Sequence, residues 1–401
     1  MDSQATTDSQ TEMSFALEDG RRMTIGPARP DDALQIRWLY HLIYGGSYPF
    51  SLVYNAEECL RAIASDKHLW LLSRCDGKVV GSVIFTIDRA IGLGKVFGAV
   101  VAEEFRGRDL TERAMDFGLE LLMRRERLVQ SVYATTRTIG LAPQRLTEKL
   151  DFKKLGVFPN VHKVNSAETH TLAVLHAEGA LARRAATPRL PRLLERFYAI
   201  AEREAGLGPA EFVDGAVSWE PPHGPALAFE TVTAAQFVLR RFHDVKSDGK
   251  LGLDFFPFQE PNLLLISPDG KTELYCYRSM KDGHCVLTGA RSENLETREL
   301  LDHGARFLEA AGVRYLEVLI EATATEQLRQ ALCAGFLPSA YYPSMRWDTP
   351  GGGRDYVVLS RSLAMLDFHG ISLQTGYLDY LQEYFRLWRA LYVDVALSGA
   401  R

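Results

Sequence analysis

The sequence predicts a mixed α/β fold made of two tandem copies of one unit, each a mixed β-sheet flanked by helices. The chain has 401 residues, and a typical domain has about 100–200, so two domains are expected. Strand-like and helix-like segments succeed one another in the same order in both halves. Phe152 precedes Pro159 as Phe336 precedes Pro343, and the two pairs are offset by 184 residues. Because further elements agree with this offset, duplication is preferred to chance.

Apolar periodicity and turn residues predict the elements of the first copy. Asp76-Gly77 predicts a hairpin turn between two of its strands. Asp31 or Asp32 is expected to cap its first long helix, which ends at Gly45. The other predicted helices are 56–64, 111–125 and 143–150, and the predicted strands are 22–28, 69–74, 79–88, 95–102, 129–135, 154–164 and 171–175.

The second copy repeats this succession. Its predicted helices are 234–242, 296–311 and 325–334, and its predicted strands are 262–267, 272–278, 284–289, 315–320, 341–347 and 355–360; one more helix is expected at 377–392. The chain is therefore divided into a flexible tail (1–20), an N-terminal copy (21–175), a helical and proline-rich connector (176–226), a C-terminal copy (227–362) and a C-terminal helical tail (363–401).

Composition excludes several classes of protein. With 46% hydrophobic and 24% charged residues, the chain is an ordinary globular protein rather than a disordered or collagenous one. The five cysteines are scattered without a Cys-x-x-Cys pair, so reduced thiols and no metal site are expected. No apolar run is long enough to span a membrane, and the acidic first twenty residues lack the basic start of a secretory signal. A cytoplasmic location is the expectation.

Charge is spread unevenly along the chain, whose net charge is −5. Residues 21–175 hold 22 Lys and Arg against 17 Asp and Glu, which suits a phosphorylated small ligand. The basic residues do not form the clustered stripe that nucleic-acid binding requires, so no nucleic-acid partner is predicted. A drift of surface charge between two domains explains the same numbers equally well.

The most informative segment runs from Val100 to Thr111, leaving a strand, crossing a short basic turn and entering a helix. The first N–H groups of that helix lack intrahelical acceptors and favour negative charge. Gly107 allows a ligand to approach the backbone, while Arg106 and Arg108 add positive charge. The segment therefore predicts a pyrophosphate-binding loop. An ordinary strand-to-helix turn with Thr111 as the N-cap is the alternative.

This segment resembles the acyl-CoA-binding loop of the GNAT acyltransferase superfamily, which reads Arg/Gln-x-x-Gly-x-Gly/Ala after the fourth strand. Arg106-Gly107-Arg108 fits its opening, and Glu148-Lys149-Leu150-Asp151-Phe152 resembles the Glu-Lys-Leu-Gly-Phe that ends the family's last long helix. The resemblance covers 21–175 and, more weakly, 227–362. It implies two tandem GNAT-like folds and acetyl-CoA or another acyl-CoA as co-substrate, without a metal. The implied CoA contacts are Val100, Val101, Ala102, Arg106, Gly107, Arg108, Asp109, Leu110 and Thr111.

Departures from the family pattern are also informative. Asp109 and Thr111 replace the two later loop glycines, so a carboxylate stands in the loop unless Asp109 points outward and caps the helix. In the second copy the equivalent stretch runs from Ala290 to Leu295 and holds no glycine. We therefore expect a degenerate C-terminal copy that does not bind CoA, with Arg291 exposed.

Candidate catalytic residues follow from the same resemblance, which implies direct attack of an amine on the thioester. Backbone N–H groups near Val101 and Ala102 would polarise the carbonyl. Many relatives place a Tyr acid directly before Glu-Lys-Leu-Gly-Phe, where this chain has Thr147. Tyr133 is a substitute acid, although a strand Tyr also serves packing. Weaker candidates are Glu103 and Glu104, and also His162, which could act as the base. A cluster of tyrosines is as consistent with core packing as with an acceptor pocket: Tyr40, Tyr44, Tyr48 and Tyr54.

The resulting hypothesis is an acyl-CoA-dependent N-acyltransferase, an N-acetyltransferase of a small-molecule amine. The departures in the loop and at Thr147 keep two alternatives open. One is a non-catalytic ligand-sensing or scaffold protein. The other is a transferase of the same fold whose acyl donor is bound to a carrier protein or tRNA.

Overall fold

A computed structural model describes residues 11–46, 48, 50–163, 166–219, 227–254 and 257–394. Its contacts divide the chain into two compact units. Unit 1 comprises Met1–Ala134, Lys149–Asp151 and Leu175–Ala180, and unit 2 comprises Thr135–Glu148, Phe152–Val174 and Leu181–Arg401. The units are defined by contacts and are discontinuous in sequence, whereas the domain boundaries of the sequence analysis follow the repeat and stay a prediction.

The described residues form mixed α/β structure, as predicted. The strands are β1 (Met13–Ala16), β2 (Arg22–Pro27), β3 (His68–Cys75), β4 (Lys78–Asp88), β5 (Leu93–Val101), β6 (Ser131–Arg137), β7 (Lys153–Lys163), β8 (Ala167–His176), β9 (Arg189–Pro191), β10 (Glu211–Val213), β11 (Glu230–Val232), β12 (Leu253–Asp254), β13 (Leu263–Ile266), β14 (Thr272–Arg278), β15 (His284–Ser292), β16 (Tyr315–Glu321), β17 (Leu337–Arg346) and β18 (Arg354–Ser362). The helices are α1 (Ala33–Tyr44), α2 (Ala56–Ala64), α3 (Leu110–Leu119), α4 (Ala142–Lys149), α5 (Glu195–Ala205), α6 (Ala235–Ser247), α7 (Thr297–Ala310), α8 (Thr325–Cys333) and α9 (Thr375–Trp388).

Unit 1 is an antiparallel meander that ends in one parallel pair. Strands β1 to β5 pair in chain order, and β5 then pairs in parallel with β6 from Leu93 to Val96. A parallel connection needs a crossover, which α3 supplies. The apolar stripe of α1 with Ile36, Leu39 and Tyr40 packs on the sheet residues Trp70 and Ile84. At the end of β5, Val101 packs on a second core cluster that contains Leu110, the first residue of α3.

Unit 2 contains a further set of paired strands, which are mostly antiparallel. Its strands pair in the order β8, β7, β17, β18, β16, β15, β14, β13 and β11, with β12 on β15. All of these pairs are antiparallel except β15 with β16, which α7 connects. Both units thus contain an antiparallel hairpin, a helix and a parallel strand in that order. Duplication of the unit stays a prediction.

Segments predicted to be tails or connectors carry regular structure. Residues 13–16 form β1, in which the partly buried Met13 and Phe15 alternate with the exposed Ser14 and Ala16, and Phe15 packs on the core of unit 1. Within unit 2, α5 packs against β7 and α9, and α9 packs against β7 and β17. Residues 1–10, 220–226 and 395–401 of the predicted tails and connector lie outside the described residues.

Candidate donor-binding site

At the end of β5 lie the two backbone N–H groups, of Val101 and Ala102, that we expect to polarise a thioester. They differ in whether they bond to the neighbouring strand β4. The Ala102 N–H donates to the Val80 carbonyl oxygen at 2.8 Å, so that part of the expectation is wrong. Val101 lies opposite Gly81. Because antiparallel partners alternate between bonded and non-bonded pairs, the N–H of Val101 is directed away from β4. Of the two N–H groups, that of Val101 is therefore the one that β4 does not bind.

An irregularity in β5 precedes these residues. The register between β4 and β5 shifts between Ser82 and Ile84, opposite Gly98, whose φ is 66°. The Tyr40 hydroxyl donates to the Gly98 carbonyl oxygen at 2.5 Å, and a Cβ added at Gly98 would lie 2.8 Å from that hydroxyl. This bulge is thus held by a buried Tyr and requires glycine.

The loop after β5 makes two left-handed steps before the helix begins. Gly107 has φ 73° and Asp109 has φ 55°. Helix α3 starts at Leu110 with Asp109 at the N-cap position, but the Asp109 side chain makes no capping hydrogen bond. Thr111 lies inside the helix and does not cap it. Left-handed residues before a helix point successive N–H groups outward, which is the geometry of an anion-binding turn.

The two loop arginines differ in their surroundings. Arg106 is exposed, whereas the Arg108 Nη1 lies 2.5 Å from the Asp19 Oδ2. Hydrogen bonds from Arg21 and Arg108 hold the pKa of Asp19 well below its usual range. Arg108 is therefore balanced by a carboxylate, and Arg106 is the arginine that an incoming anion meets without displacing Asp19.

The hairpin of β1 and β2 packs on this loop. The Arg21 guanidinium lies 4.5 Å from the centre of the Phe105 ring, and that of Arg113 lies 4.6 Å from the Phe15 ring. Phe15 also packs on the cluster that contains Phe105 and Leu110. The sequence analysis missed this support, although the alternating Met13-Ser14-Phe15-Ala16 is a strand signal.

The catalytic candidates are placed in different units. Tyr133 lies in unit 1 on β6, opposite Lys95 of β5, and is buried. Thr147 lies in unit 2 on α4, where its buried hydroxyl donates to the Gln144 carbonyl oxygen at 2.9 Å. A Thr bonded to its own helix is a poor proton donor. Thr147 is therefore no replacement for a Tyr acid in this conformation.

The weaker candidates have other partners. Glu103 and Glu104 lie exposed in a single helical turn after β5. In unit 2 the His162 Nδ1 lies 2.6 Å from the Asp282 Oδ2, and the His162 ring lies 5.0 Å from those of His170 and His284. Among the described residues, no three His, Cys, Asp or Glu side chains are placed to hold a metal ion. In the same residues, no helix is long and apolar enough to cross a membrane.

The stretch that the sequence analysis predicts to correspond to this loop differs from expectation at Arg291. Arg291 lies on β15, is only 18% exposed, and its Nε donates to the Glu273 Oε2 at 2.8 Å. Arg241 and the Tyr275 hydroxyl bind the same buried carboxylate. The prediction of an exposed Arg291 is wrong, because the buried Glu273 needs cationic partners.

Comparisons with known proteins give one family match and several similar solved structures. The model of the Acetyltransferase (GNAT) family matches residues 33–152. Ribosomal-protein-S5-alanine acetyltransferase from Vibrio fischeri is 17% identical over 41% of this chain and 97% of its own, with a TM-score of 0.35. RimJ from Mycobacterium smegmatis, solved with CoA-disulfide, is 17% identical over 42% of this chain and 88% of its own, with a TM-score of 0.35. NAA60 from Arabidopsis thaliana, solved with a bisubstrate analogue, is 16% identical over 39% of this chain and 99% of its own, with a TM-score of 0.34. A search among curated proteins gave no significant match.

Proposed function

We propose that this protein is an acyl-CoA-dependent N-acyltransferase that transfers an acetyl group from acetyl-CoA to the amine of a small molecule in the cytoplasm. One observation carries the proposal. The left-handed residues Gly107 and Asp109 lead directly into the N-terminus of α3, within the segment that matches the GNAT family model.

The turn suits the pyrophosphate of CoA for electrostatic reasons. The first N–H groups of α3 have no intrahelical acceptors, and the helix dipole favours an anion there. A Cβ built at Gly107 meets no atom within 4 Å, so a ligand can approach this part of the backbone. Arg106 supplies an exposed positive charge beside it. The residues that we assign to the donor are Val100, Val101, Ala102, Arg106, Gly107, Arg108, Asp109, Leu110 and Thr111. Among them, Ala102 would contact the donor without donating its N–H, which is bonded to the Val80 carbonyl oxygen.

The reaction is a direct acyl transfer. The neutral amine nitrogen attacks the thioester carbonyl carbon, the new C–N bond forms, and the C–S bond breaks to release the CoA thiolate. The Val101 N–H is directed so that it can stabilise the oxyanion, and holding amine and thioester together supplies much of the rate. The amine proton leaves to a base and the thiolate takes up a proton. Tyr133 remains our candidate for the acid, and Thr147 does not.

Two features favour the alternative of a non-catalytic ligand-binding protein. Asp19 already balances Arg108, and the Thr147 hydroxyl is bonded within α4. Such a protein would bind acetyl-CoA or a related anion at the same turn without consuming it. A transferase whose acyl donor is carried on a protein or tRNA would depend less on this turn. The identity of the acyl donor, and whether it is consumed, therefore distinguishes the three candidate functions.

Calorimetry with acetyl-CoA tests the proposal first, and thiol release in the presence of a mixed amine library tests it second. We expect saturable binding that salt weakens, and release of CoA only when amines are present. Binding without release would support the non-catalytic alternative. Absence of binding at millimolar acetyl-CoA would contradict the proposal.

A further inference from the structure

Unit 1 contains a belt of aromatic rings outside the donor loop. Tyr44 and Tyr48 lie with ring centres 4.8 Å apart, Tyr48 lies 5.7 Å from Phe50, and Phe50 lies 5.1 Å from Phe97. Phe50 is 37% exposed, and Tyr48 and Phe97 are half-buried. We call Tyr44, Tyr48, Phe50, Phe97 and Tyr133 the aromatic belt. Four of these rings are at least partly exposed to solvent, and Tyr133 is buried.

Lys95 places a positive charge among these rings. Its Nζ lies 5.7 Å from the ring centre of Phe50, 5.9 Å from that of Phe97 and 5.7 Å from that of Tyr133. Lys95 and Phe97 share one face of β5 because side chains alternate along a strand, and Tyr133 lies opposite Lys95 on β6. The neighbour of Lys95 on β4 is Thr86.

An ammonium group in this position is suited to an anion. Three aromatic faces stabilise the cation, and partial burial strengthens its attraction to a carboxylate by lowering the local dielectric. An ammonium group also has three N–H donors, so a carboxylate oxygen can be bound while other contacts are kept. The rings around it would pack against an apolar or aromatic part of the same molecule.

The position along β5 relates Lys95 to the proposed reaction. Lys95 precedes the bulge at Gly98 by three residues, which corresponds to about 10 Å along a strand. A ligand anchored by its carboxylate at Lys95 and lying along the belt would therefore direct its other end towards the bulge and Val101. This geometry suits a molecule whose amine and carboxylate are separated by a ring-sized body.

We propose that Lys95 and the aromatic belt form the acceptor subsite, and that its substrate class is an amine carrying a carboxylate on an aromatic or apolar body. This inference rests on the proposed function and narrows its acceptor. Lys95 acts in recognition by binding the carboxylate, and it takes no part in the proton transfers.

A matched pair of probes tests the inference in the full-length protein. 4-(2-Aminoethyl)benzoate carries the carboxylate, and 4-(2-aminoethyl)benzamide has an uncharged amide of similar shape in its place. Calorimetry without donor should show at least tenfold tighter binding of the benzoate to the unaltered protein. Lys95→Met should bring the two affinities within about twofold of each other, while Lys95→Arg should keep the preference. Phe50→Leu should weaken both probes alike, because it removes a shared apolar contact.

The outcomes separate this inference from the proposed function. Equal affinities for the two probes, no binding of either probe, or a preference that survives Lys95→Met would overturn the subsite. Each variant is also titrated with acetyl-CoA. If acetyl-CoA binds while the benzoate preference is absent, the donor site stands and the subsite is wrong. If the preference is present but acetyl-CoA does not bind, the anion subsite stands and the proposed transferase is wrong. Lys95→Arg keeps the test informative even if Lys95→Met does not fold.

Discussion

Reversing the charge of Arg106 perturbs the proposed donor site at an exposed loop arginine that forms no ion pair with a carboxylate among the described residues. An exposed ion pair contributes about 0.2–1 kcal/mol, and Arg106→Glu both removes an attraction to the pyrophosphate and adds a repulsion of similar size. The sum is roughly 0.4–2 kcal/mol at low salt. Since about 1.4 kcal/mol corresponds to a factor of ten, the Kd for acetyl-CoA should rise roughly two- to thirtyfold. Raising the salt concentration should reduce this difference, because exposed charges are screened.

Calorimetry of acetyl-CoA binding at low and high salt measures this effect, with Arg61→Glu as the matched control. Arg61 lies on α2 with 73% of its side chain exposed, and its reversal should leave the Kd within about twofold. Arg291→Glu cannot serve as the control that the sequence analysis suggests, because it would place a second carboxylate beside the buried Glu273. Equal losses from Arg106→Glu and Arg61→Glu would refute the assignment of the donor to this loop.

Two further predictions concern the stability of unit 2. Gly156→Ala should lower the free energy of unfolding by more than about 2 kcal/mol in a denaturant titration, because the added Cβ would lie within 2.6 Å of backbone atoms of Ser339 and Ala340. The control Gly140→Ala should leave the free energy of unfolding nearly unchanged, because a Cβ there meets no atom within 4 Å. Similar losses from both substitutions would contradict the close pairing of β7 with β17. Burial, followed by the charge of His162, lowers the pKa of His170 to about 4, against the opposing influence of Glu168. Between pH 6.5 and 4 the unfolded chain therefore binds a proton that the folded protein does not, so the His170 contribution to stability should fall by about 3 kcal/mol as the pH falls through that window. His170→Gln should flatten that part of the stability profile, and an unchanged slope would show that other groups cause it.

The sequence by itself determined the elements whose formation depends on neighbouring residues. Helix α2 was predicted at 56–64 and is observed at Ala56–Ala64, because its apolar spacing and its Asn55 cap are local features. The Asp76-Gly77 turn is observed with φ of 49° and 80°, as a tight hairpin requires. The succession of strands and helix around the candidate loop was predictable for the same reason.

Only the tertiary structure decided which polar groups of the site are available. Arg108 is bound by Asp19, 89 residues away, and Arg291 by the buried Glu273. The Ala102 N–H is taken by Val80, and Lys95 is surrounded by rings from three separate segments. A residue type indicates what a side chain is able to donate or accept, but its availability depends on partners that folding brings from distant parts of the chain. Burial then sets the cost of leaving such a group unpaired, and this is why a motif alone could suggest the donor loop but not which of its arginines is free to meet an anion.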